Sequence, residues 1–214
     1  MSAFARAMEL YPYVFHPTTV LGAGVLLLIY HEWDRQGLDR AALWPRVGSF
    51  LGAGVLALVP TVAYFLVTGA DPVQSTKGAG WTMDALVAGG LVVAAAGTWV
   101  VWRRNDWGPL VPGLMVVVLV ATAPYAALSP FWDVSGHVLI ALVPTLYLTL
   151  VDRTFWPLLA VPVVMVPNRV YLGAHTLPQA VAGFLLGAAV TLGLYWRQAG
   201  GSFRPEPDST RLRH

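Results

Sequence analysis

Long apolar stretches separated by short polar ones run through the whole sequence. None of them alternates with a period of two, and each is about 20 residues long, enough for an α-helix to cross a bilayer core of about 30 Å. Because lipid offers no partner for backbone N–H and C=O groups, a crossing segment must be a helix or a strand of a closed barrel. The pattern predicts an all-α polytopic membrane helical bundle of six to seven transmembrane helices, over residues 10–30, 47–67, 85–102, 110–128, 134–151, 155–172 and 177–196.

Composition supports a membrane protein with one domain. Hydrophobic residues make up 57% of the 214 residues and charged residues only 11%, against about 25% charged in a typical soluble domain. We expect a transmembrane domain over residues 1–199 and a flexible cytoplasmic tail over residues 200–214, which are polar and contain glycine and proline. The net charge of +2 does not favour nucleic acid as a partner, and the absence of cysteine excludes a disulfide framework, a thiolate metal site and a cysteine nucleophile.

The basic residues indicate how the bundle is oriented. Cytoplasmic loops of membrane proteins carry an excess of lysine and arginine, which assigns four regions of this chain to the cytoplasm. The loops at 68–84, 129–133 and 173–176 then face outward, and the first apolar run is long enough to remain as an anchor rather than be cleaved. The assignment rests on Arg35, Arg40, Arg46, Arg103, Arg104, Arg153, Arg197, Arg204, Arg211 and Arg213.

Two polar clusters interrupt the apolar pattern at predicted outer helix ends. They are DVSGH at 133–137 and NRVYLGAHTLPQ at 168–179. Ionisable groups near bilayer depth are costly and usually functional. Ser135 and Thr176 can cap the following helices, which places each histidine beside a helix N-terminus, and such ends bind anions through exposed N–H groups. Arg169 adds a guanidinium suited to phosphate oxygens, so the clusters together predict a phosphate site.

The same residues carry a family resemblance. Ser135-Gly136-His137 followed by Arg169, five residues and His175 resembles the second and third signature motifs of the type 2 phosphatidic acid phosphatase superfamily. The stretch RVYLGAHTLPQ is similar to the third motif of the dolichyl-diphosphatase branch. The resemblance covers roughly residues 130–195, with the motifs at 133–179, and implies a catalytic core over about residues 47–196.

The resemblance implies a function and a role for each matched residue. His175 would be the nucleophile that forms a phosphohistidine, and His137 the general acid for the leaving lipid oxygen. Arg169, Ser135 and Gly136 would hold the phosphoryl oxygens, and no metal or other cofactor would be needed. The implied activity is hydrolysis of a polyprenyl diphosphate or related lipid phosphate at the outer face of the cell membrane.

All three motifs of that family differ from their usual pattern in this chain. Val134 replaces a proline, Asn168 replaces a serine, and the first motif, a lysine followed after six residues by arginine and proline, is absent. Lys77 is the only lysine of the chain, and it either supplies the missing cation for phosphate or is a solvated loop charge. Asp84 stands where the motif's arginine would fall.

Gln179 replaces the aspartate that usually supports the nucleophile. A glutamine can orient the His175 ring without giving it negative charge, and it can equally form a capping box with Thr176. Asp133 is a candidate for the missing carboxylate, the alternative being a turn or capping residue. His16 and His31, at the two ends of the first helix, are expected to be interfacial side chains.

Two other classes of function stay open. One is a lipid phosphotransferase with the same phosphohistidine, and the other is a catalytically degenerate lipid-binding protein or an unrelated seven-helix receptor. A retinal protein is disfavoured because the last helix has no lysine, and a zinc site because no HExxH spacing occurs. Gly183 and Gly187, four residues apart in the last helix, predict ordinary close helix packing.

Overall fold

The computed structural model describes residues 2–70 and 81–202, and every regular element within these ranges is helical. The predicted all-α fold is therefore confirmed. Two 3₁₀ segments, Arg40–Ala42 and Arg153–Leu159, precede α3 and α8 respectively. The α-helices are α1 (Ala3–Val14), α2 (Pro17–Arg35), α3 (Leu43–Ala57), α4 (Val59–Thr68), α5 (Trp81–Asn105), α6 (Leu110–Leu128), α7 (Gly136–Val151), α8 (Ala160–Tyr171) and α9 (Leu177–Ser202).

The described helices support an integral membrane protein. Four segments are long and apolar enough to cross a bilayer, and α1 with α2 makes a fifth if that pair, bent by 58°, is counted as one span. The helices α7 and α8, with 16 and 12 residues, are shorter than a typical spanning helix of about 20. The predicted number of six to seven crossings thus stays a prediction. The four segments are Arg40–Thr68, Ala85–Asn105, Leu110–Leu128 and Leu177–Ala199.

The first predicted span is divided in two. The sequence pattern predicts one helix over residues 10–30, whereas α1 ends at Val14 and α2 begins at Pro17. The break falls where proline is best accommodated, because the first position of a helix needs no N–H donor. His16 caps α2, its ring nitrogen accepting the Thr18 N–H.

Two further predicted spans also contain irregularities. The segment over residues 47–67 is interrupted at Leu58, between α3 and α4, where Pro60 lies at the start of α4. The segment over residues 155–172 begins as the 3₁₀ helix and becomes α-helical only from Ala160. Pro60 and Pro157 lack the backbone N–H that would continue the helical hydrogen bonds. The spacing of apolar residues alone does not predict these interruptions.

Helix α7 lies at the centre of the bundle, packed against α2, α6, α8 and α9. Its side chains Tyr147 and Leu148 are fully buried together with Leu114 and Val117 of α6. Large apolar side chains of α3 and α4 are exposed instead, as expected for helices that face lipid. Burial of α7 on several sides fixes the position of its first turn, which carries His137.

Glycine allows α9 to approach the start of α7 closely. A Cβ atom added at Gly183 would lie 2.5 Å from the carbonyl oxygen of Ser135, and one at Gly187 would lie 3.4 Å from that of Leu139. The predicted close packing through this glycine pair is confirmed. The contact brings the first turns of α7 and α9 side by side.

We predict that Gly183→Ala destabilises the protein by about 1–3 kcal/mol, because the new methyl group cannot fit without separating α9 from α7. Gly193→Ala is the matched control, since no atom lies within 4 Å of a Cβ there and alanine favours the helix. Thermal unfolding of the purified protein in detergent measures both. Equal unfolding temperatures for the two variants would contradict the close packing.

Candidate functional site

The two polar clusters meet in space. Ser135, the residue before α7, donates its backbone N–H to the carbonyl oxygen of Gln179 in the first turn of α9, at 3.2 Å. This hydrogen bond joins residues that are far apart in sequence and holds the two helix starts together. The predicted convergence of the segments around residues 133–137 and 168–179 is therefore present in the fold.

His175 lies against Asp133. Its Nδ1 is 3.1 Å from the backbone oxygen of Asp133 and 3.4 Å from the carboxylate Oδ2. The His175 side chain is only 9% exposed, whereas that of Asp133 is 59% exposed, so solvent weakens the charge attraction between them. Because a backbone carbonyl can only accept, the bond to it requires a hydrogen on Nδ1. In the neutral ring the lone pair is then on Nε2.

Gln179 serves the start of α9. Its side-chain oxygen accepts the backbone N–H of Thr176 at 2.8 Å, as the capping-box interpretation predicts. Asp133, rather than Gln179, supplies the carboxylate beside His175. The capping-box contact of Gln179 and the position of Asp133 beside His175 are thus both present in the fold.

Ser135 precedes α7 but makes no side-chain capping bond. Its hydroxyl is buried and has no hydrogen-bond partner among the described residues, which corrects the expectation that it caps the helix. The following residue has to be glycine for a steric reason, since a Cβ at position 136 would lie 2.7 Å from the hydroxyl oxygen of Tyr125. Position 136 therefore has no space for a larger side chain.

A cavity of about 530 Å³ lies beside these helix starts. His137 of α7 and Arg169 of α8 line it on one side, and α1 forms the opposite wall with Glu9, Tyr13 and the adjoining His16. His175 is not among the described residues that line this cavity. The cavity thus joins two of the three predicted catalytic residues to a helix that the sequence did not associate with the site.

Arg169 is half-buried in this cavity, and its Nε has no hydrogen-bond partner within the described ranges. The guanidinium is close enough to His16 and His137 to interact with both electrostatically. The Asp133 carboxylate attracts this cation electrostatically, but the buried Nε–H stays without an acceptor in the described part of the chain, which is costly unless an anion binds it. The surroundings of Arg169 therefore suit a phosphate group.

His16 is the functional-site residue that sequence reasoning missed. The sequence predicts an interfacial side chain for His16, and its exposed ring lies 5.7 Å from the His137 ring, edge to face, at the cavity. The His16-Pro17 sequence predicts the start of a helix, but no local sequence pattern predicts that His16 contacts His137.

Helix α1 is held on α8 by polar contacts. Pro12 lies inside α1 and lacks an N–H, so the carbonyl of Met8, four residues earlier, loses its helical partner. Asn168 replaces that partner, donating from Nδ2 to the Met8 oxygen at 2.6 Å. A second bond runs from the Tyr11 hydroxyl to the Val161 oxygen at 2.9 Å. Asn168, which departs from the family motif, thus positions the cavity wall.

A second, apolar cavity of about 360 Å³ lies between α2, α3, α5 and α6. Its lining includes Leu21, Phe50, Gly54 and Met115, with Thr18 as the polar exception. The Thr18 hydroxyl is 2.8 Å from Nδ1 of His16, which lines the polar cavity. One residue thus borders the apolar cavity and contacts the wall of the polar one.

Lys77 and the loop around it lie outside the described residues, so its suggested contact with phosphate stays a prediction. Within residues 2–70 and 81–202, no group of three or more histidine, aspartate or glutamate side chains is arranged to hold a metal ion.

Comparison of the chain with protein-family models, with curated proteins and with solved structures finds no match. The family resemblance therefore rests on the motifs at 133–179. The function has to be argued from the site itself.

We predict that Asn168→Ala loosens α1, because it leaves the Met8 carbonyl without a partner at a cost of about 1–3 kcal/mol. Hydrogen–deuterium exchange of the α1 amides should become faster in the purified protein. Asn105→Ala is the matched control, since among the described residues the Asn105 side chain donates to the Val101 carbonyl of its own helix. Unchanged exchange in the Asn168 variant would show that α1 docks by other contacts.

Proposed function

We propose that this chain is a membrane lipid phosphatase that hydrolyses a polyprenyl diphosphate or a related lipid phosphate through a phosphohistidine. The observation that carries the proposal is the placement of His175, oriented by Asp133, beside the helix start that brings His137 and Arg169 to one cavity. The three side chains come from three different helices, α9, α7 and α8. Each has chemistry suited to one part of phosphoryl transfer.

In the first step Nε2 of His175 attacks phosphorus, and the bond from phosphorus to the leaving oxygen breaks. His137 donates a proton to that oxygen, so the lipid leaves as a neutral alcohol, or as a monophosphate when a diphosphate is cleaved. The pairing of Nδ1 with Asp133 supports this direction of attack, because it places the lone pair of the neutral ring on Nε2. Asp133 also stabilises the positive charge that the ring gains.

In the second step water attacks the phosphohistidine, the phosphorus–nitrogen bond breaks, and His137 accepts the proton from water. Arg169 and the backbone N–H groups at the start of α7, including that of Gly136, would hold the phosphoryl oxygens in both steps. The half-buried position of Arg169 strengthens its attraction for phosphate, because little water competes there.

The bundle favours a lipid as the substrate. The lipid chain would occupy the apolar cavity and the phosphate the polar one, since Thr18 lines the first and its hydroxyl contacts His16, which lines the second. We propose from the distribution of arginine residues that the site lies at the outer face of the cell membrane. We also propose that α7 and the 3₁₀–α8 segment each cross the membrane, which gives a bundle of seven crossings. Lys77 would be a further phosphate ligand.

We predict that His175→Ala abolishes phosphate release from a polyprenyl diphosphate in vesicles and that His137→Ala slows it by about 10²–10⁴-fold. His31→Gln, at the opposite end of α2 from the site, should leave the rate unchanged. With ³²P-labelled substrate, an acid-labile phosphoprotein should form in the wild type and be lost in the His175 variant.

Full activity of His175→Ala would refute the mechanism. Label that appears in a new lipid rather than in free phosphate would identify a phosphotransferase, and no turnover of any lipid phosphate by the wild type would favour a degenerate lipid-binding protein.

We also predict that Gly54→Leu raises KM for a long-chain lipid phosphate, because the new side chain fills part of the apolar cavity. Gly52→Leu is the matched control: it is on the same helix, both glycines have no atom within 4 Å of a Cβ, and only Gly54 lines the cavity. Hydrolysis of a short-chain substrate should be equal in both variants. Equal KM values for the long-chain substrate would refute the assignment of this cavity to the lipid chain.

A further inference from the structure

We infer that His16 is a phosphate-binding residue, which donates a hydrogen bond from Nε2 into the cavity it shares with His137 and Arg169. The inference rests on the proposed function, since the phosphate in question is that of the lipid substrate. It adds to the site a residue from the turn between α1 and α2, outside the motif-bearing segment.

The hydrogen bonds of His16 decide which ring nitrogen can donate. Its Nδ1 accepts the backbone N–H of Thr18 at 3.4 Å and lies 2.8 Å from the Thr18 hydroxyl oxygen. A backbone N–H can only donate, so Nδ1 must be the unprotonated nitrogen of the neutral ring. The ring hydrogen is then on Nε2. His16 thus presents a donor with a fixed tautomer, whereas His175 has the opposite one.

The position of His16 matches this chemistry. Its ring meets the His137 ring at 5.7 Å, and both residues line the 530 Å³ cavity with Arg169. A phosphate bound to Arg169 would therefore be within the part of the cavity that His16 borders. Hydrogen bonds to charged oxygens are stronger than those between neutral groups, so one further donor is significant for binding.

Glu9 provides a test, because its removal should change phosphate binding in the direction opposite to removal of His16. Its carboxylate lines the same cavity from α1 and is exposed. The negative charge of this carboxylate repels a bound anion, and solvent weakens the repulsion. Loss of the His16 donor should weaken phosphate binding, whereas loss of the Glu9 charge should strengthen it. A purely structural role of α1 predicts no such opposition, because both changes would then disturb the same wall.

The experiment compares His16→Asn, Glu9→Gln and the wild type as full-length protein in detergent. Asparagine is a good N-cap and can still accept the Thr18 N–H, so α2 keeps its start while the Nε2 donor is lost. KM and kcat are measured with a polyprenyl diphosphate. Binding of inorganic phosphate is measured separately from the rise in unfolding temperature with phosphate concentration.

We expect His16→Asn to weaken phosphate binding and raise KM by about tenfold, the effect of one hydrogen bond to a charged group. The Glu9→Gln variant should strengthen phosphate binding and lower KM, each by up to about fivefold, as expected for an exposed charge. The variant His16→Gln, whose side-chain amide reaches further and can donate, should recover part of the binding. If His16→Asn does not fold, His16→Ser replaces it, because serine is also a good N-cap and lacks the ring donor.

Unchanged binding in both His16 variants would overturn the inference, as would shifts of the same sign for His16→Asn and Glu9→Gln. The phosphate measurement separates this result from a failure of the proposed function. If the wild type hydrolyses no lipid phosphate but binds inorganic phosphate in a His16-dependent way, the binding role stands and the phosphatase activity fails.

Discussion

The contact between the first turns of α7 and α9 determines the geometry of the site. Ser135 gives its N–H to the Gln179 carbonyl, and Gly183 lets α9 approach the Ser135 carbonyl. Lipid cannot satisfy a backbone group that such a contact leaves unpaired, so the two helix starts are held in one arrangement. Asp133 immediately precedes this contact in sequence and His175 lies just before α9. Their proximity is thus a consequence of backbone packing, and it does not depend on the attraction between a histidine and a largely solvated carboxylate.

A buried polar group fixes the other end of the bundle. The carboxylate of Glu32, which is 3% exposed, accepts the N–H of Leu110 at the start of α6 at 2.6 Å. Nearby Arg46, 4% exposed, donates to Gln36 at 2.9 Å. Removing one partner of such a buried set is costly, because the other is left unpaired. These contacts hold α2 to its neighbours at the end opposite His16, so that the start of α2 is presented to the cavity by a helix fixed along its length.

The sequence allowed the local features of the site to be predicted but not its outer wall. The Thr176–Gln179 capping box follows from residue types at fixed spacing, and Asp133 was a candidate because it adjoins the Ser-Gly-His cluster. The docking of α1 joins Asn168 to Met8 across 160 residues, which no local pattern specifies. Pro12 does show in the sequence that a carbonyl is freed. Which distant side chain satisfies that carbonyl depends on how the helices pack.

The departures from the family motifs acquire a physical explanation from these contacts. Asn168 and Gln179 both use their side-chain amides on backbone groups, one to dock α1 and the other to start α9. Charge beside His175 then comes from Asp133, on the loop before α7, and the proposed further phosphate donor, His16, comes from the turn after α1. A site of this kind cannot be formed by the motif-bearing residues alone, since one wall and one histidine belong to the N-terminal helix pair. The N-terminal helix is thus as much a part of the proposed site as the motifs that suggested it.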